Sequence, residues 1–284
     1  MTRTWLITGA GRGLGRAIAE EALRRGDRVA ATARDAGALA DLVASAPDRV
    51  LPLTLDVADP DAVGRAVAEA EAWGSGSGPD EGVDVLVNNA GHGLVGALEE
   101  LSDADVDAVL GVNVVGTLAT TRAVLGAMRA RRRGHVVMMS SVGGVVANPG
   151  HVLYAVSKFA VEGMGEALAG EVAPWGIRVT LVEPGPFRTD FAGSSMRVST
   201  PIADYADTPA GALRAGMAAQ DGMQPGDPVR AAAAIVDAVE DPDSPLRLPL
   251  GARAVDRIRA KLTAQLADLD ASETTARSAD ALAG

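Results

Sequence analysis

Short runs of consecutive apolar residues alternate along this chain with longer segments in which apolar and polar residues are mixed. The runs favour valine, leucine and isoleucine, and their continuity indicates strands of a parallel sheet that helices cover on both faces. The mixed segments carry helix signals, such as Asp59 as a cap before Pro60 at the first helical position. The predicted strands are TWLIT, DRVAATA, RVLPLTLDV, VDVLVNNAG, GHVVMMSS, IRVTLVEPG and LRLPLG, and the predicted helices cover residues 13–25, 36–45, 59–73, about 103–131 and about 151–173.

This order predicts an α/β fold: a Rossmann-like, doubly wound parallel sheet of seven strands between two layers of helices. A length of 284 residues suits a single domain over 1–284. Within it we expect a cofactor-binding half over about 1–140 and a catalytic and substrate-binding part over about 141–270. A flexible tail is expected at 271–284. Ligands of such open sheets bind beyond the carboxyl ends of the strands, so the site is expected there.

Two segments interrupt the alternation. Residues 74–82, GSGSGPDEG, indicate a flexible insertion without chemistry. Residues 191–228 form a long mixed stretch with many glycines and prolines, and connections of this length are usually lids or binding segments. The apolar residues of this stretch either cover the substrate or anchor the loop, and both alternatives stay open; they are Phe191, Met196, Ile202, Tyr205 and Met217.

Polar or glycine-rich residues follow six of the predicted strands. These residues are 9–15, Arg34, Asp56, 88–91, Ser141 and 184–189. The carboxyl ends of parallel strands share one edge of the sheet, so the six segments are predicted to form one site.

The first of these segments, TGAGRGLG at 8–15, lies between a strand and a helix. Backbone N–H groups at a helix N-terminus can hold a phosphate group there. Its glycines do not fit the dinucleotide-binding spacing G-x-G-x-x-G, because Leu14 or Arg16 falls on the last position. By itself the stretch indicates only a phosphorylated ligand.

The sharpest sign of chemistry is YAVSK, because residues four apart on a helix leave the same face. A lysine ammonium favours a neighbouring phenolate, so Lys158 is expected to lower the pKa of Tyr154 and make it an acid–base group. An isolated pair of this kind is more often a half-buried tyrosine beside a solvated lysine. Ser141 is either a donor to a substrate carbonyl oxygen or a cap of a turn. Asn113 is either a structural amide bonded to the loop after the fourth strand or a water-holding relay behind Lys158.

Taken together, these motifs resemble the short-chain dehydrogenase/reductase family in order and spacing, strongly from about residue 4 to residue 190. The matching features are TGxxxGxG at 8–15, NNAG at 88–91, Asn113, Ser141, Tyr154 with Lys158, and PGPFRT at 184–189. The resemblance implies an oxidoreductase that transfers hydride between a nicotinamide cofactor and a carbonyl or secondary alcohol. It also accounts for the glycines, since Gly9, Gly13 and Gly15 match the family pattern and Gly11 is an extra one.

The resemblance further implies the roles of individual residues. Tyr154 is implied as general acid/base, Lys158 as its pKa-lowering partner and ribose ligand, Ser141 as substrate orienter and Asn113 as relay. Asp56 and Val57 match the pair that packs on the adenine, and Thr189 matches the hydroxyl that binds the nicotinamide carboxamide. The implied cofactor-binding residues are Gly9, Gly13, Leu14, Gly15, Asp56, Val57, Asn89, Ala90, Gly91, Tyr154, Lys158, Pro184, Gly185, Phe187 and Thr189.

The end of the second strand bears on which nicotinamide cofactor binds. Selection of NAD usually needs a carboxylate there for the ribose 2′-hydroxyl, and the family position for that acid falls on Ala33. Arg34 follows directly, and Arg12 in the glycine-rich loop could reach the same pocket; two guanidiniums suit a 2′-phosphate. NADP(H) is therefore expected over NAD(H), with Asp35 as the counter-argument if its side chain turns inward.

Composition narrows the partners. A net charge of −11 and an isoelectric point near 4.8 argue against a nucleic acid or an anionic membrane surface. The chain has no cysteine and its three histidines show no ligand spacing, so no metal site is predicted. We recognise no signal peptide and no membrane-spanning run, which makes a cytoplasmic location the expectation. The family resemblance implies a homodimer or homotetramer formed through the long helices.

Two other functions stay open on the sequence. One is a regulatory protein that binds NADP(H) without turnover, and the other is an epimerase or dehydratase on the same scaffold. The sequence does not indicate which carbonyl or alcohol is the substrate, nor the direction of the reaction.

Overall fold

The structure is a computed structural model that describes residues 2–75, 81–189, 191, 193, 195–220 and 223–280, without the side chains of 217–220. The central part of the predicted insertion, residues 76–80, and the side chain of Met217 therefore lie outside the described residues.

One parallel sheet organises the chain, as predicted. In the described residues the strands are β1 (Thr4–Ile7), β2 (Arg28–Ala33), β3 (Val50–Thr54), β4 (Val85–Asn88), β5 (Gly93–Val95), β6 (Gly134–Met139), β7 (Ile177–Pro184), β8 (Met196–Val198) and β9 (Arg247–Leu250). The seven-stranded sheet has the order β3-β2-β1-β4-β6-β7-β9, which is the doubly wound arrangement. The strand order reverses between β1 and β4, where this class of sheet forms its binding crevice. A second parallel pair, β5 with β8, was not predicted.

Helices cover both faces of this sheet. In the described residues they are α1 (Gly13–Arg24), α2 (Ala40–Ser45), α3 (Pro60–Gly74), α4 (Asp103–Leu110), α5 (Thr117–Arg131), α6 (Val152–Val172), α7 (Pro209–Gln220), α8 (Pro228–Glu240) and α9 (Ala252–Arg277). The predicted long helix over 103–131 is interrupted by a wider π-helical turn, Gly111–Gly116. The last three helices were not predicted, and α9 occupies part of the stretch that the sequence assigns to a flexible tail.

The two hydrophobic cores explain the continuous apolar runs. Trp5 and Ile7 of β1 are buried in the core shared with α1 and α8, whereas Leu6 is buried in the core shared with α3, α5 and α6. Successive side chains of a strand point to opposite faces of the sheet, so a strand covered on both faces needs apolar residues throughout.

The stretch Asp103–Arg131 has a mean hydropathy of 1.5 and the length of a membrane span, which corrects the expectation that no such run exists. In the structure this stretch packs against the sheet. Thr121, Val124 and Met128 of α5 are buried, and the Thr121 hydroxyl accepts a hydrogen bond from Asn88 at 2.8 Å. These contacts make it a core helix of the fold.

Candidate active site

A cavity of about 890 Å³ opens at the carboxyl edge of the sheet, where the sequence predicts the site. All six predicted segments contribute to its wall. The predicted site residues that line it are Gly9, Arg12, Gly13, Leu14, Arg34, Asp56, Val57, Asn89, Ala90, Gly91, Ser141, Tyr154, Lys158, Pro184, Gly185, Phe187 and Thr189. The other two, Gly15 and Asn113, lie behind this wall.

The glycine-rich loop forms one end of the cavity. Gly9 and Gly13 have φ angles of +66° and +59°, a conformation that favours glycine. Asn89 fixes this loop, because its side-chain amide donates to the backbone oxygens of Thr8 at 2.9 Å and Gly9 at 3.0 Å. Helix α1 then begins at Gly13 without a side-chain cap from the described residues, which leaves its first N–H groups available to a phosphate. The loop therefore fits a nucleotide pyrophosphate.

Gly15 is needed for packing behind the loop. A Cβ atom at this position would lie 2.3 Å from Nδ2 of Asn89 and 2.6 Å from the backbone oxygen of Gly9. At Gly11 the nearest atom to an added Cβ is the Ala38 methyl at 3.0 Å, and the φ angle is not positive. The structure thus separates a required glycine from the extra one.

We expect Gly15→Ala to lower the free energy of unfolding by about 1–3 kcal/mol, because overpacking against fixed backbone is destabilising. Gly11→Ala is the matched control and should cost clearly less, since only a methyl group must move. Urea unfolding of both variants measures the difference. Equal losses in the two variants would contradict this account of the loop.

The end of β2 carries the candidate phosphate ligand. Ala33 is buried and Arg34 is exposed at the cavity wall. Asp35 Oδ1 accepts a hydrogen bond from the Gly37 N–H at 2.9 Å and caps the following turn. Arg12 donates from Nη2 to Ser195 Oγ at 2.7 Å, so it reaches toward the 191–228 segment. Arg34 is therefore better placed than Arg12 for a group bound at the end of β2.

Three side chains meet at the other end of the cavity. Helix α6 brings Tyr154 and Lys158 to one face, and Ser141 follows β6. The Ser141 hydroxyl accepts a hydrogen bond from the Gly143 N–H at 3.0 Å, so it caps the turn while lining the cavity. Lys158 Nζ donates to the backbone oxygen of Met139 at 2.7 Å and lies 5.8 Å from the centre of the Tyr154 ring.

Burial governs the protonation of this group. It raises the pKa of Tyr154 to about 12, and hydrogen bonding with Ser141 offsets only part of that rise. Burial also lowers the pKa of Lys158 to about 8, against the opposing charge of Glu162. The expectation that Lys158 lowers the pKa of Tyr154 is therefore wrong for this geometry. Desolvation of the phenolate outweighs the ammonium, which is directed to the end of β6.

Asn113 makes the contacts of a structural amide. Its Nδ2 donates to the His92 backbone oxygen at 2.9 Å and to Ser157 Oγ at 3.0 Å, and its Oδ1 accepts from the His92 N–H at 3.0 Å. These bonds tie the π-helical turn to the loop after β4, which is one of the two alternatives raised by the sequence. The relay role of Asn113 stays a prediction.

The segment 191–228 divides into lining and anchoring residues. Phe191 and Met196 line the cavity, and the Phe191 ring lies 5.7 Å from the Tyr154 ring. Tyr205 is an anchor, since its hydroxyl donates to Glu99 Oε2 at 2.9 Å, and the Ile202 N–H donates to Glu100 Oε1 at 2.9 Å. Only part of the predicted lid therefore faces the site.

Sequence reasoning missed a set of polar residues in the same wall. They are His92, Asn148, His151, Arg197, Gln224, Arg253 and Arg257. None belongs to a motif, and the last two lie on α9, which the sequence did not predict as a helix. The only available signal was the arginine-rich start of that stretch, ARAVDRIRAK.

Comparison with known proteins agrees with this geometry. Residues 3–198 match the sequence model of the short chain dehydrogenase family. The chain is 40% identical over 258 residues to oxidoreductase BOA17 of Botryotinia fuckeliana, covering 90% of this chain and 91% of that protein. A short-chain dehydrogenase from Streptomyces avermitilis has a similar structure, with a TM-score of 0.90 and 42% identity over 98% of each chain.

Two structures with bound cofactor are also similar. One is a short-chain dehydrogenase/reductase of Burkholderia phymatum in complex with NAD, with a TM-score of 0.78 and 26% identity over 91% of this chain and 92% of that one. The other is a short-chain dehydrogenase of Burkholderia cenocepacia in complex with NADP, with a TM-score of 0.70 and 26% identity over 99% of this chain and 98% of that one.

The chain belongs to the short-chain dehydrogenase/reductase family. It is accordingly an oxidoreductase of the class that acts on CH–OH and C=O groups with a nicotinamide cofactor.

Proposed function

We propose that this protein is an NADP(H)-dependent oxidoreductase that interconverts a carbonyl and a secondary alcohol, with Tyr154 as general acid/base. The observation that supports this proposal is the shared cavity, which has the uncapped start of α1 at one end and the hydroxyls of Tyr154 and Ser141 at the other. The chemistry that the nicotinamide supplies when bound is hydride transfer to or from the substrate carbon.

The residues of the chain then handle the oxygen atom and the proton. In the reducing direction, the Ser141 hydroxyl donates a hydrogen bond to the carbonyl oxygen, and the Tyr154 hydroxyl gives its proton to that oxygen as negative charge develops on it. In the oxidising direction, the Tyr154 oxygen takes the alcohol proton. The Lys158 ammonium stabilises the phenolate that remains after proton donation.

A panel of carbonyl compounds, assayed with NADPH by the loss of reduced-nicotinamide absorbance, tests this proposal. Turnover of at least one ketone or aldehyde is expected. NADPH binding without turnover of any compound would instead favour the binding-only regulatory protein.

The preference for NADP(H) rests on the end of β2. Arg34 lies at the cavity wall, the preceding Ala33 offers no carboxylate, and Asp35 is engaged as a cap. A guanidinium at this position suits a 2′-phosphate through charge-assisted hydrogen bonds. The ribose hydroxyl of NAD(H) has no carboxylate to bind at Ala33.

Arg34→Ala should therefore weaken NADPH binding by about 10- to 100-fold, since hydrogen bonds to charged groups contribute about 1.5–3 kcal/mol. NADH affinity should stay within about two-fold, because NADH lacks the phosphate. Fluorescence titration with both cofactors measures the change, and Arg122→Ala, exposed on α5, is the control. Unchanged NADPH affinity, or a wild type that prefers NADH, would contradict the assignment.

We also propose a homodimer or homotetramer formed through the long helices. Val115 and Leu118 near the start of α5 and Val156 and Phe159 on α6 are apolar and 41–52% exposed, which marks a surface that another chain could cover. Light scattering of the purified protein gives the number of chains directly. A cytoplasmic location stays a prediction.

A further inference from the structure

The cavity is positively charged at its substrate end, although the chain as a whole has a net charge of −11. Arg253 and Arg257, one turn apart on α9, line the cavity next to β9. Among the described residues, the carboxylates in its wall are Asp35 and Asp56. Both follow strands at the opposite edge of the sheet, because β3 and β2 are the first strands in its order and β9 is the last.

These two guanidiniums are not neutralised within the described part of the chain. Arg257 donates from Nη2 to Asn148 Oδ1 at 2.8 Å, which is a bond to a neutral side chain. Arg253 forms no hydrogen bond or ion pair with the residues that the structure describes. Arg197 also lines the cavity, but its charge acts on Asp105 and is partly balanced there.

The charge of Arg257 reaches the catalytic end of the cavity through His151. Burial, and after it the positive charge of Arg257, lowers the pKa of His151, so this imidazole is neutral. The His151 ring meets the Tyr154 ring edge-on at 6.1 Å between centres. Tyr154, His151 and Arg257 thus follow one another along the wall.

Buried polar atoms in the same region also lack partners. Nε2 of His151 and Oε1 of Gln224 have no hydrogen bond to the described residues, and both side chains line the cavity. Buried polar atoms are nearly always hydrogen-bonded in native proteins, so two of them beside uncompensated guanidiniums indicate a polar ligand. The rest of this wall includes the apolar Phe191, Met196 and Leu213.

We propose that the substrate carries, besides its carbonyl or alcohol, an anionic oxygen group that Arg257 holds with the help of Arg253. A carboxylate and a phosphate share the required chemistry, since both accept paired hydrogen bonds from a guanidinium. The proposal rests on the proposed oxidoreductase function: the anion lies against α9 while the carbonyl lies against Tyr154 and Ser141. The remote contact then positions the reacting carbon.

The test uses the full chain with saturating NADPH and three matched series of probes. The first series is keto acids of increasing chain length, the second their methyl esters, and the third ketones with a phosphate ester at the same distance. We expect kcat/KM to be at least about 10-fold higher for one of the anionic series than for the esters, and the better series identifies the anion.

Arg257→Ala should remove most of this preference, mainly through a higher KM for the anionic probes, while ester turnover changes little. Arg257→Lys should restore part of it, because a lysine keeps the charge but loses the paired geometry. Arg259→Ala is the matched control on the same helix, because Arg259 is exposed outside the cavity wall.

A second readout does not depend on turnover. Saturated carboxylates of the same lengths, which have no carbonyl to reduce, are titrated by calorimetry into wild type and Arg257→Ala with the cofactor present. Esters that are turned over as well as the anionic probes, or carboxylates that bind both proteins equally, would overturn the anion site and leave the oxidoreductase function standing. Absent NADPH binding and turnover would overturn the proposed function, and the same titration without cofactor would then decide the anion site alone.

Discussion

The Tyr154→Phe variant is expected to lose about 10²- to 10⁴-fold in kcat, which is the usual contribution of a positioned general acid or base. The substitution removes one hydroxyl and keeps the ring, which is packed between His151 and Phe191. The cavity wall should therefore keep its shape, and NADPH affinity should stay within about two-fold. A loss confined to kcat would assign Tyr154 to the chemical step.

The chain supplies its own control, because its second tyrosine, Tyr205, is an anchor of the 191–228 segment. Tyr205→Phe should retain near-wild-type kcat, since only a surface hydrogen bond to Glu99 is lost. Single-turnover rates of both variants with saturating NADPH give the comparison. Substantial residual activity in Tyr154→Phe, or an equal loss in Tyr205→Phe, would remove Tyr154 from its proposed role.

The raised pKa of Tyr154 has a consequence for the direction of proton transfer. With a pKa of about 12, the phenol is protonated at neutral pH and is ready to donate to a carbonyl oxygen. Oxidation of an alcohol needs the phenolate, so it needs additional positive charge near the ring. Lys158 is the cation at hand, and an oxidised nicotinamide ring adds a second positive charge when it is bound.

The sheet could be predicted from the sequence because burial on both faces leaves a mark on every strand. Trp5, Leu6 and Ile7 alternate between two cores, and neither core tolerates a polar residue there. Helix α9 could not be predicted in the same way. Ala254 is its one buried residue in the described range, so no apolar face marks the helix in the sequence. Strands β5 and β8 have three residues each, too few for a pattern.

The candidate site shows the same division. Residues that follow core strands, such as Ser141 and Arg34, were brought together as predicted, because their places follow from the sheet. The pKa of Tyr154 was predicted with the wrong sign, because desolvation depends on everything packed around the ring. Arg257 was missed for a related reason: its contact with Asn148 joins residues 109 positions apart. Motifs record local geometry, whereas charge balance in a cavity depends on the whole fold.

The Lys158→Met variant should combine a large loss of activity with a pH-dependent gain in relative stability. Its kcat should fall at least about 100-fold, because the ammonium that stabilises the Tyr154 phenolate is gone. Its effect on stability has two opposed parts. Methionine removes the cost of burying a charge, but it leaves the Met139 backbone oxygen without the hydrogen bond from Nζ.

The pH dependence separates these two parts. The pKa of Lys158 is lowered from its usual 10.5 to about 8 in the folded protein, so the unfolded chain binds more protons between these values. The stability contributed by this group in the wild type therefore rises from pH 8 to about 10.5, by up to about 3 kcal/mol at 1.36 kcal/mol per pKa unit. Lys158→Met has no such group, so its stability relative to wild type should be highest at pH 7 and should fall as the pH rises through 8.

Urea unfolding of wild type and variant at pH 7, 8, 9 and 10 measures this difference, from which the other titrating groups cancel. Lys261, the only other lysine of the chain, lies on α9, and Lys261→Met should show no trend with pH. A constant difference for Lys158→Met would mean that Lys158 is solvated and keeps its usual pKa. A residue that lowers stability below pH 8 and yet is needed for turnover is held in place by its chemistry and not by folding, which is the relation between stability and activity expected of an active-site lysine.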